Sequence, residues 1–185
     1  MALNGKRKAI FVDRDGTLIE EVNFLSRLED LKFFSFTEES VRILKEKDFL
    51  VIVVTNQSGI GRGIYTEADM RAIHDEIQRR LSNSVDGFYF CPHLPDEECR
   101  CRKPGLGMIE SACSDFDIDL SASWMIGDKD LDVLTGHNAG IRTSLVMTGY
   151  GKSHLKTLRQ KPEILAENLL EAAREIAAID TKGAV

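Results

Sequence analysis

Short, almost continuously apolar runs alternate along the chain with amphipathic stretches, and this alternation limits the possible folds more than any other feature. A strand that is apolar along its whole length is typical of a parallel sheet with both faces covered. We predict such strands at residues 8–12, 49–54, 87–90, 123–126 and 143–147. The chain is therefore expected to be an α/β protein.

The segments between these runs have the apolar spacing of helices. In one of them, Ile73, Ile77 and Leu81 recur at every fourth position, and Thr66 can cap its start. Helical patterns occupy residues 38–47, 66–81, 107–116, 128–139 and 162–179. Strand and helix in turn predict a mostly parallel sheet with helices on both faces. We expect one domain over residues 1–180 and a frayed tail at 181–185.

Composition and charge limit the class of protein. The 185 residues are 43% hydrophobic, which is ordinary for one domain with its own core. The formal net charge of -6 argues against binding to nucleic acids or anionic membranes, because phosphate groups repel an acidic surface. The apolar run at 49–54 is too short to span a bilayer, and no signal peptide is expected. These features predict a cytoplasmic protein.

Polar loops follow three of the predicted strands, with the sequences DRDGT, TNQSGIGRG and GDKDLD. In an open α/β sheet, ligands bind beyond the carboxyl ends of the strands, so the three loops are expected to meet in one crevice. Asp13 and Asp15 would repel each other there if both were ionised, and a divalent cation removes that cost. With Asp128 as a third ligand, the set suits Mg²⁺. Lys129, in the same loop as Asp128, is predicted to bind the substrate.

These loops also have simpler interpretations. Taken alone, a D-x-D-G segment or a glycine-rich N-Q-S-G segment is more often a turn, although their joint occurrence at strand ends favours a site. Calcium is a competing ion, because Asp128, Asp130 and Asp132 begin like an EF-hand loop. However, Val133 stands where that loop needs glycine, and Ala139 stands where it needs glutamate.

The crevice has the groups that phosphoryl transfer requires. One carboxylate can attack phosphorus while its neighbour, Asp15, exchanges a proton with the leaving oxygen. Thr55 and Asn56 supply hydrogen-bond donors for phosphate oxygens, and the glycines that follow expose backbone N–H groups. In the sequence CRKP, Lys103 suits a phosphate, and Arg102 suits a second anionic group.

A second candidate metal site lies between residues 91 and 101. Its possible ligands are Cys91, His93, Cys99 and Cys101. Three thiolates and one imidazole complete a tetrahedral zinc shell without an open position, which is typical of structural zinc. Buried or reactive cysteines beside an incidental histidine are the alternative. Zinc would order a loop that has few apolar residues, and it would fix where Arg102 and Lys103 point.

The remaining histidines and the fourth cysteine are expected to have packing or solvated roles. His74 lies on a predicted helix among charged residues, His137 follows a helix, and His154 lies in a basic loop. Cys113 is expected to be a core residue. None of the four is predicted to be catalytic.

With these motifs identified, the chain resembles the haloacid dehalogenase (HAD) superfamily of phosphatases over nearly its whole length. DRDGT is similar to the first motif of that superfamily, the threonine of VVTNQ to the second, the lysine of CRKP to the third and GDKDLD to the fourth. The resemblance implies a Rossmann-like fold of three layers, an aspartyl-phosphate intermediate at Asp13 and acid/base action by Asp15. It also implies that Thr55 and Lys103 stabilise the phosphoryl group. Mg²⁺ would be held by Asp13, by the backbone carbonyl of Asp15 and by Asp128.

Within the superfamily, the chain resembles the D-glycero-D-manno-heptose-1,7-bisphosphate 7-phosphatases, which share TNQSGIGRG, a zinc loop and CRKP followed by GM. This likeness implies a small phosphorylated sugar as substrate, with Arg102 helping to recognise it, and a role in supplying heptose for lipopolysaccharide or other surface glycans. The short loop CPHLPDEEC is more similar to histidinol-phosphate phosphatases, so that substrate is an alternative. A second alternative, from another class, is a non-catalytic zinc-binding interaction module.

The spacing of the motifs limits how the crevice can close. Too few residues separate the first motif from Thr55 for an inserted cap domain, so we expect an open crevice without a cap and with a zinc-stabilised loop beside it. Selectivity would then depend on residues 19–30 and on that loop. An open fold of this size is expected to be a monomer.

Overall fold

The computed structural model describes residues 5–182, and its centre is one sheet of six strands. The strands are β1 (Ala9–Val12), β2 (Leu50–Asn56), β3 (Gly87–Cys91), β4 (Trp124–Gly127), β5 (Arg142–Val146) and β6 (Ile164–Ala166). Their order across the sheet is β3-β2-β1-β4-β5-β6, and every pair of neighbours is parallel. This confirms the predicted α/β class and the parallel sheet.

Helices cover both faces of the sheet. Within residues 5–182 they are α1 (Thr37–Glu46), α2 (Ser58–Gly61), α3 (Glu67–Arg80), α4 (Gly107–Asp115), α5 (Asp130–Asn138), α6 (Gly151–His154) and α7 (Leu169–Lys182). The apolar residues of α1, α3 and α7 pack on one face, and those of α4 pack on the other, which gives three layers. In the described part of the chain, no helix has the length and apolar character needed to cross a membrane.

Strand β1 shows why these apolar runs become central strands. Successive side chains of a strand point to opposite faces, so Ile10 and Val12 pack into one core cluster, and Ala9 and Phe11 pack into the other. All four residues are buried. A continuous apolar run is therefore required on a strand that has helices on both sides.

The capping expected at the start of α3 is present. Thr66 precedes the helix, and its Oγ1 accepts the backbone N–H of Asp69 at 3.2 Å. The Asp69 carboxylate accepts the backbone N–H of Thr66 in return, at 2.8 Å. This reciprocal pair satisfies two donors that the first turn of a helix otherwise leaves without partners.

The end of the chain differs from the sequence prediction. Residues 162–179 were predicted to be one helix, but residues 164–166 form β6, and α7 begins only at Leu169. Ile164 and Ala166 are buried while Leu165 is 47% exposed, and that alternation has the period of a strand. Helix α7 then continues to Lys182, so residues 181 and 182 are helical rather than frayed. Residues 183–185 of the predicted tail lie outside the described residues.

The strand order creates a crevice at one edge of the sheet. Strand β1 lies between β2 and β4, and the direction in which strands are added reverses at β1 and β4. Such a switch point leaves a crevice beyond the carboxyl ends of the strands, which is where open α/β sheets bind ligands. The polar loops that follow β1, β2 and β4 all reach this crevice.

Candidate active site

The residues predicted from separate motifs meet at the carboxyl edge of the sheet. Asp13 directly follows β1, and Asp128 directly follows β4. Thr55 and Asn56 are the last two residues of β2. Lys103 reaches the same place from the loop that joins β3 to α4. The predicted convergence of the three polar loops is what the topology produces.

Lys103 is a buried cation that contacts two carboxylates. Its Nζ lies 2.8 Å from Asp13 Oδ1 and 2.6 Å from Asp132 Oδ1, and it donates to the Val54 carbonyl at 3.0 Å. Burial opposes the charge, but Asp13 and Asp132 outweigh it and raise the pKa of Lys103. Burial likewise opposes ionisation of Asp13, yet Lys103 and then Lys129 hold the pKa of Asp13 below its usual value. Asp13 is therefore an ionised carboxylate with a fixed orientation.

Lys129 lies half-buried on the other side of Asp13. Its Nζ is 3.8 Å from Asp13 Oδ2, 3.6 Å from Asp128 Oδ1 and 3.4 Å from Glu21 Oε2. Burial opposes its charge, but the carboxylates, with Asp13 first, raise the pKa of Lys129 above its ordinary value. The structure therefore places a permanent positive charge at the mouth of the crevice.

A group of carboxylates in the crevice could hold a metal ion. Asp13, Asp128 and Asp132 offer oxygens within 4.8 Å of one another. Asp128 Oδ2 accepts the backbone N–H of Tyr150 at 2.7 Å, whereas the buried Oδ1 has no hydrogen-bond partner among the described residues. Burial, followed by the charge of Asp13, raises the pKa of Asp128 to about 8. A divalent cation fits such a place, because it would stabilise the ionised form of a carboxyl group whose pKa is raised by burial and by a neighbouring carboxylate.

The cluster differs from the predicted magnesium set in its third side chain. The carboxylate of Asp15 turns away from the cluster toward Arg14, with an Nη2–Oδ2 distance of 2.9 Å. Asp132 takes its place, but both of its oxygens already have partners: Oδ1 contacts Lys103, and Oδ2 accepts the backbone N–H of Lys129 at 3.0 Å. Sequence reasoning considered Asp132 only as part of a calcium loop. Its position as the last acidic residue of GDKDLD, in the first turn of α5, was the available signal.

Two glycines allow other parts of the backbone to approach Asp128. Gly16 has φ +85° and Gly149 has φ +52°, a region that favours glycine. A Cβ atom at either position would collide with Asp128 Oδ2. The DRDGT loop therefore needs its glycine for close approach to the third polar loop as well as for turning.

The predicted substrate-binding residues Asn56 and Arg102 are both half-buried near Lys103. Asn56 Oδ1 accepts the backbone N–H of Lys103 at 3.0 Å, and its Nδ2 donates to the Lys103 carbonyl at 3.4 Å. Arg102 donates from Nη1 to the carbonyl of His93 at 3.3 Å. Asn56 therefore fixes the backbone of Lys103, and Arg102 is hydrogen-bonded to the segment that contains the cysteines.

The four predicted zinc ligands lie together in a segment that we call the Cys/His loop, residues 91–103. One ligand atom from each of Cys91, His93, Cys99 and Cys101 lies within 4.8 Å of the others. The Sγ atom of Cys99 is 3.7 Å from those of Cys91 and Cys101, which are themselves 3.1 Å apart. His93 Nδ1 is 3.2 Å from Cys101 Sγ. Thiolates that bind one tetrahedral zinc at about 2.3 Å stand roughly 3.8 Å apart. The donor set therefore fits a structural zinc ion.

An open cleft adjoins the crevice. Its polar lining consists of Arg14, Asp15, Glu21, Asn23, Asn56, Gln57, Ser58, Tyr65 and Lys129. Residues 21–25 form one wall, so part of the segment predicted to determine selectivity does border the space where a substrate would lie. The cleft connects the cations of the crevice to solvent.

Comparison with known proteins agrees with the motifs. A family model for HAD-hydrolase-like proteins matches residues 100–172. The D-glycero-beta-D-manno-heptose-1,7-bisphosphate 7-phosphatase of Haemophilus ducreyi is 33% identical over 175 residues, which cover 89% of this chain and 96% of the relative. The D-glycero-alpha-D-manno-heptose-1,7-bisphosphate 7-phosphatase of Photorhabdus laumondii is 35% identical over 184 residues, which cover 94% and 98%.

A crystal structure gives the same result for the fold. The D,D-heptose 1,7-bisphosphate phosphatase of B. bronchiseptica, complexed with magnesium and phosphate, matches with a TM-score of 0.86 at 31% sequence identity. The match covers 93% of this chain and 99% of that chain. Relatives at this identity, matched over nearly their full length, establish a family. The chain therefore belongs to the haloacid dehalogenase superfamily of phosphatases and is a hydrolase of phosphoric monoesters.

Proposed function

We propose that this phosphatase removes the 7-phosphate of D-glycero-D-manno-heptose 1,7-bisphosphate, with Mg²⁺, through an aspartyl-phosphate intermediate at Asp13. The observation that carries the proposal is the buried contact of 2.8 Å between Asp13 and Lys103 at the end of β1. The substrate is inferred from the relatives, which are named for the alpha and beta anomers of this sugar. Because those relatives are enzymes, the alternative of a non-catalytic zinc module is not kept.

The proposed reaction has two steps, and each uses residues of this chain. In the first step an oxygen of Asp13 attacks phosphorus, the bond from phosphorus to the sugar oxygen breaks, and Asp15 gives its proton to that oxygen. In the second step Asp15 takes a proton from water, the water oxygen attacks phosphorus, and phosphate leaves Asp13. Thr55 and Lys103 would contact the phosphoryl oxygens throughout.

The remaining predicted residues would bind the rest of the substrate. Lys129 and Arg102 carry the positive charge that a second phosphate needs, and both can be reached from solvent. Both ends of the Asn56 amide contact the backbone of Lys103, and the residue lines the cleft. Asn56 and Lys129 line the crevice beside Asp13, and Arg102 lines the adjoining surface on the other side of Lys103, which would suit a ligand with two anionic ends.

Mg²⁺ would be held by Asp13, Asp128 and the backbone carbonyl of Asp15. Asp128 Oδ1 accepts no hydrogen bond among the described residues and has only Lys129 nearby, at 3.6 Å, which supports this set. The oxygens of Asp132, in contrast, are already used by Lys103 and by a backbone N–H. When bound, the ion offsets the negative charge that develops on the transferring phosphoryl group. Asp132 would act through Lys103, by fixing where its ammonium group lies.

Zn²⁺ would be held by the Cys/His loop as a structural ion. Its four donors leave no coordination position for a water molecule or a substrate. The loop is mostly polar, and its three cysteines are its only residues in or against a core cluster, so metal binding would supply much of its order. The product would feed heptose into surface glycans such as lipopolysaccharide. Cytoplasmic location, a monomer and a crevice without a cap domain stay predictions.

A substrate comparison tests the proposed function. The purified enzyme, with Mg²⁺, is given the alpha anomer of the bisphosphate, the beta anomer or histidinol phosphate, and released orthophosphate is measured. We expect phosphate from C7, leaving heptose 1-phosphate identified by phosphorus NMR, with kcat/KM for histidinol phosphate lower by about 10²-fold or more. Activity on histidinol phosphate with none on either bisphosphate would replace the substrate by the alternative.

A further inference from the structure

The carboxylate of Asp15 is held by the side chains of Arg14 and Gln57. Arg14 Nε lies 3.2 Å from Asp15 Oδ1 and 3.1 Å from Oδ2, and its Nη2 lies 3.0 Å from Oδ1. Gln57 Nε2 donates to Oδ2 at 2.9 Å. The side chain of Asp15 is only 15% exposed. Both carboxylate oxygens therefore have fixed donors, and the orientation of this group is determined by its two neighbours.

Arg14 is a buried cation whose other hydrogen-bond partners among the described residues are neutral. Its side chain is 1% exposed, and it donates from Nη2 to Gln57 Oε1 at 3.0 Å. Its Nη1 lies 3.2 Å from His74 Nε2. Burial, followed by the charge of Arg14, lowers the pKa of His74 to about 3, so the neutral imidazole accepts this hydrogen bond. The positive charge of Arg14 is thereby directed to a single carboxylate, that of Asp15.

Gln57 joins this pair to the phosphoryl side of the crevice. Its Nε2 donates to Thr55 Oγ1 at 2.8 Å as well as to Asp15, and its Oε1 accepts from Arg14 and from the hydroxyl of Tyr65 at 2.6 Å. Burial raises the pKa of Tyr65 to about 12, which keeps that hydroxyl protonated. A flipped amide would turn Nε2 toward the donors of Arg14, so one orientation is fixed. Gln57 therefore links Asp15 to Thr55 directly.

We propose that Arg14 and Gln57 are positioning residues for proton transfer by Asp15. The inference rests on the proposed function, in which Asp15 protonates the leaving sugar oxygen as its bond to phosphorus breaks. When the proton leaves Asp15, a carboxylate remains, and the charge-assisted hydrogen bonds from Arg14 stabilise it where it formed. Gln57 fixes the position of that carboxylate relative to Thr55. The group that donates the proton and the group that binds the phosphoryl oxygens therefore keep one relative orientation.

A comparison of leaving groups separates this role from a general contribution to folding. A sugar oxygen needs a proton in order to leave, whereas the nitrophenolate of p-nitrophenyl phosphate does not. The value of kcat/KM is measured with both substrates, because it reports the steps up to departure of the leaving group. For Arg14→Lys and Gln57→Leu we expect a loss of about 10²-fold with the heptose bisphosphate and of less than about 5-fold with the aryl phosphate. Arg14→Lys keeps the charge but loses the two-pronged contact.

Two further variants keep the test decisive if a buried substitution impairs folding. Tyr65→Phe removes one hydrogen bond from Gln57 Oε1. It should also lower kcat/KM more with the heptose bisphosphate than with the aryl phosphate, but by a smaller factor. Gln78→Leu is the matched control, because Gln78 also uses both ends of its amide, to the backbone of Val85 at 2.7 Å and 3.2 Å, but lies in α3 outside the cleft. It should leave the ratio of the two activities unchanged.

The Asp15→Asn variant distinguishes failure of this inference from failure of the proposed function. If Asp15→Asn slows both substrates equally, Asp15 is not the acid and the proposed mechanism is wrong. If Asp15→Asn slows only the sugar substrate while Gln57→Leu and Arg14→Lys slow both equally, the positioning role alone is wrong. In the Asp15→Asn background, Gln57→Leu should add no further substrate-dependent loss. An additive loss there would show that Gln57 acts independently of Asp15 and would overturn the inference.

Discussion

The crevice contains two buried cations that differ in their partners. Lys103 lies within 2.8 Å of two carboxylates, those of Asp13 and Asp132, whose side chains are 5% and 1% exposed. Arg14 contacts one carboxylate, that of Asp15, whose side chain is 15% exposed. Its other side-chain partners are neutral. One buried cation is thus outnumbered by carboxylates, and the other is balanced by a single one.

This difference separates two tasks within one crevice. On the Lys103 side, three carboxyl groups, those of Asp13, Asp128 and Asp132, face two cations, Lys103 and Lys129, and this arrangement would suit a metal ion and a phosphate. The Arg14 side pairs one cation with the side chain of Asp15 alone, which would suit the proposed acid/base group. The two cations also differ in their place in the chain. Arg14 is the second residue after β1, whereas Lys103 ends the Cys/His loop and depends on the order of that loop.

The largest effect is expected from Asp13→Asn, which removes the proposed nucleophile from the Lys103 side. An amide is a far weaker nucleophile toward phosphorus than a carboxylate, so kcat should fall by about 10⁴-fold or more. Lys103 keeps Asp132 as a partner, so the variant should fold. Initial rates and a thermal melt measure the two effects. Activity within tenfold of the wild type would mean that Asp13 is not the nucleophile.

The second prediction concerns the Cys/His loop, which carries Lys103 at its end. Cys101→Ser removes one thiolate from the Cys/His loop, so zinc should be lost or bound much more weakly. Displacement of Lys103 by about 1 Å is enough to lower kcat by roughly 10²-fold. Hydrogen exchange should rise in residues 91–105 and stay near wild type in β1 and β4. Metal content is measured by elemental analysis of the purified protein.

Cys113→Ser is the matched control for that change. Cys113 lies in α4, outside the cluster, and packs beside the second core cluster. The same substitution there should leave zinc content and kcat near wild type. Full activity of a zinc-free Cys101→Ser protein would show that the loop orders itself without metal, and the proposed role of zinc would be wrong.

The third prediction tests the surplus of carboxylates around Lys103. Asp132→Asn removes one charged partner from a buried cation that keeps Asp13, and we expect a loss of roughly 2–3 kcal/mol in unfolding free energy. Asp180→Asn is the control, because its ion pair with Lys8 is partly exposed and should cost less than about 1 kcal/mol. Urea denaturation measures both. Equal losses would show that burial of the Lys103 pair has no special energetic effect.

The sequence predicted the Lys103 side better than the Arg14 side, for a physical reason. Asp13, Thr55, Lys103 and Asp128 lie at strand ends or in short motifs, and the α/β topology alone brings strand ends together. The Cys/His cluster was recognisable as a candidate zinc site because metal chemistry restricts residue type and spacing. Both kinds of information are local in the sequence.

The missed features depend on contacts between distant side chains. His74 was expected to be packed or solvated; it is packed, against Phe88 with ring centroids 4.5 Å apart, but its contact with Arg14 has no sequence signal. Strand β6 was missed because three residues, Ile164 to Ala166, fit the apolar spacing of the helix that follows. Pairing with β5 decides that case, and pairing is not visible in a local pattern.

The smallest effect is expected on the Arg14 side, from pH. In the folded protein the pKa of His74 is lowered to about 3, by burial and then by Arg14, whereas an unfolded histidine titrates near 6.5. Between these values the unfolded chain binds more protons, so stability is lost as the pH falls below about 6.5. From pH 7 to pH 5 this group should lower the unfolding free energy by up to about 2 kcal/mol.

His74→Gln tests this assignment, because glutamine can still accept a hydrogen bond from Arg14 but does not titrate. Unfolding by urea at pH 7 and pH 5 should show that the variant lacks about 2 kcal/mol of the acid-induced loss seen in the wild type. His137→Gln, at the end of α5 and outside the cleft, should retain the wild-type loss. If His74→Gln retains it as well, the Arg14 side is not held by a neutral imidazole. The contrast between the two cations would then reduce to the number of carboxylates around each.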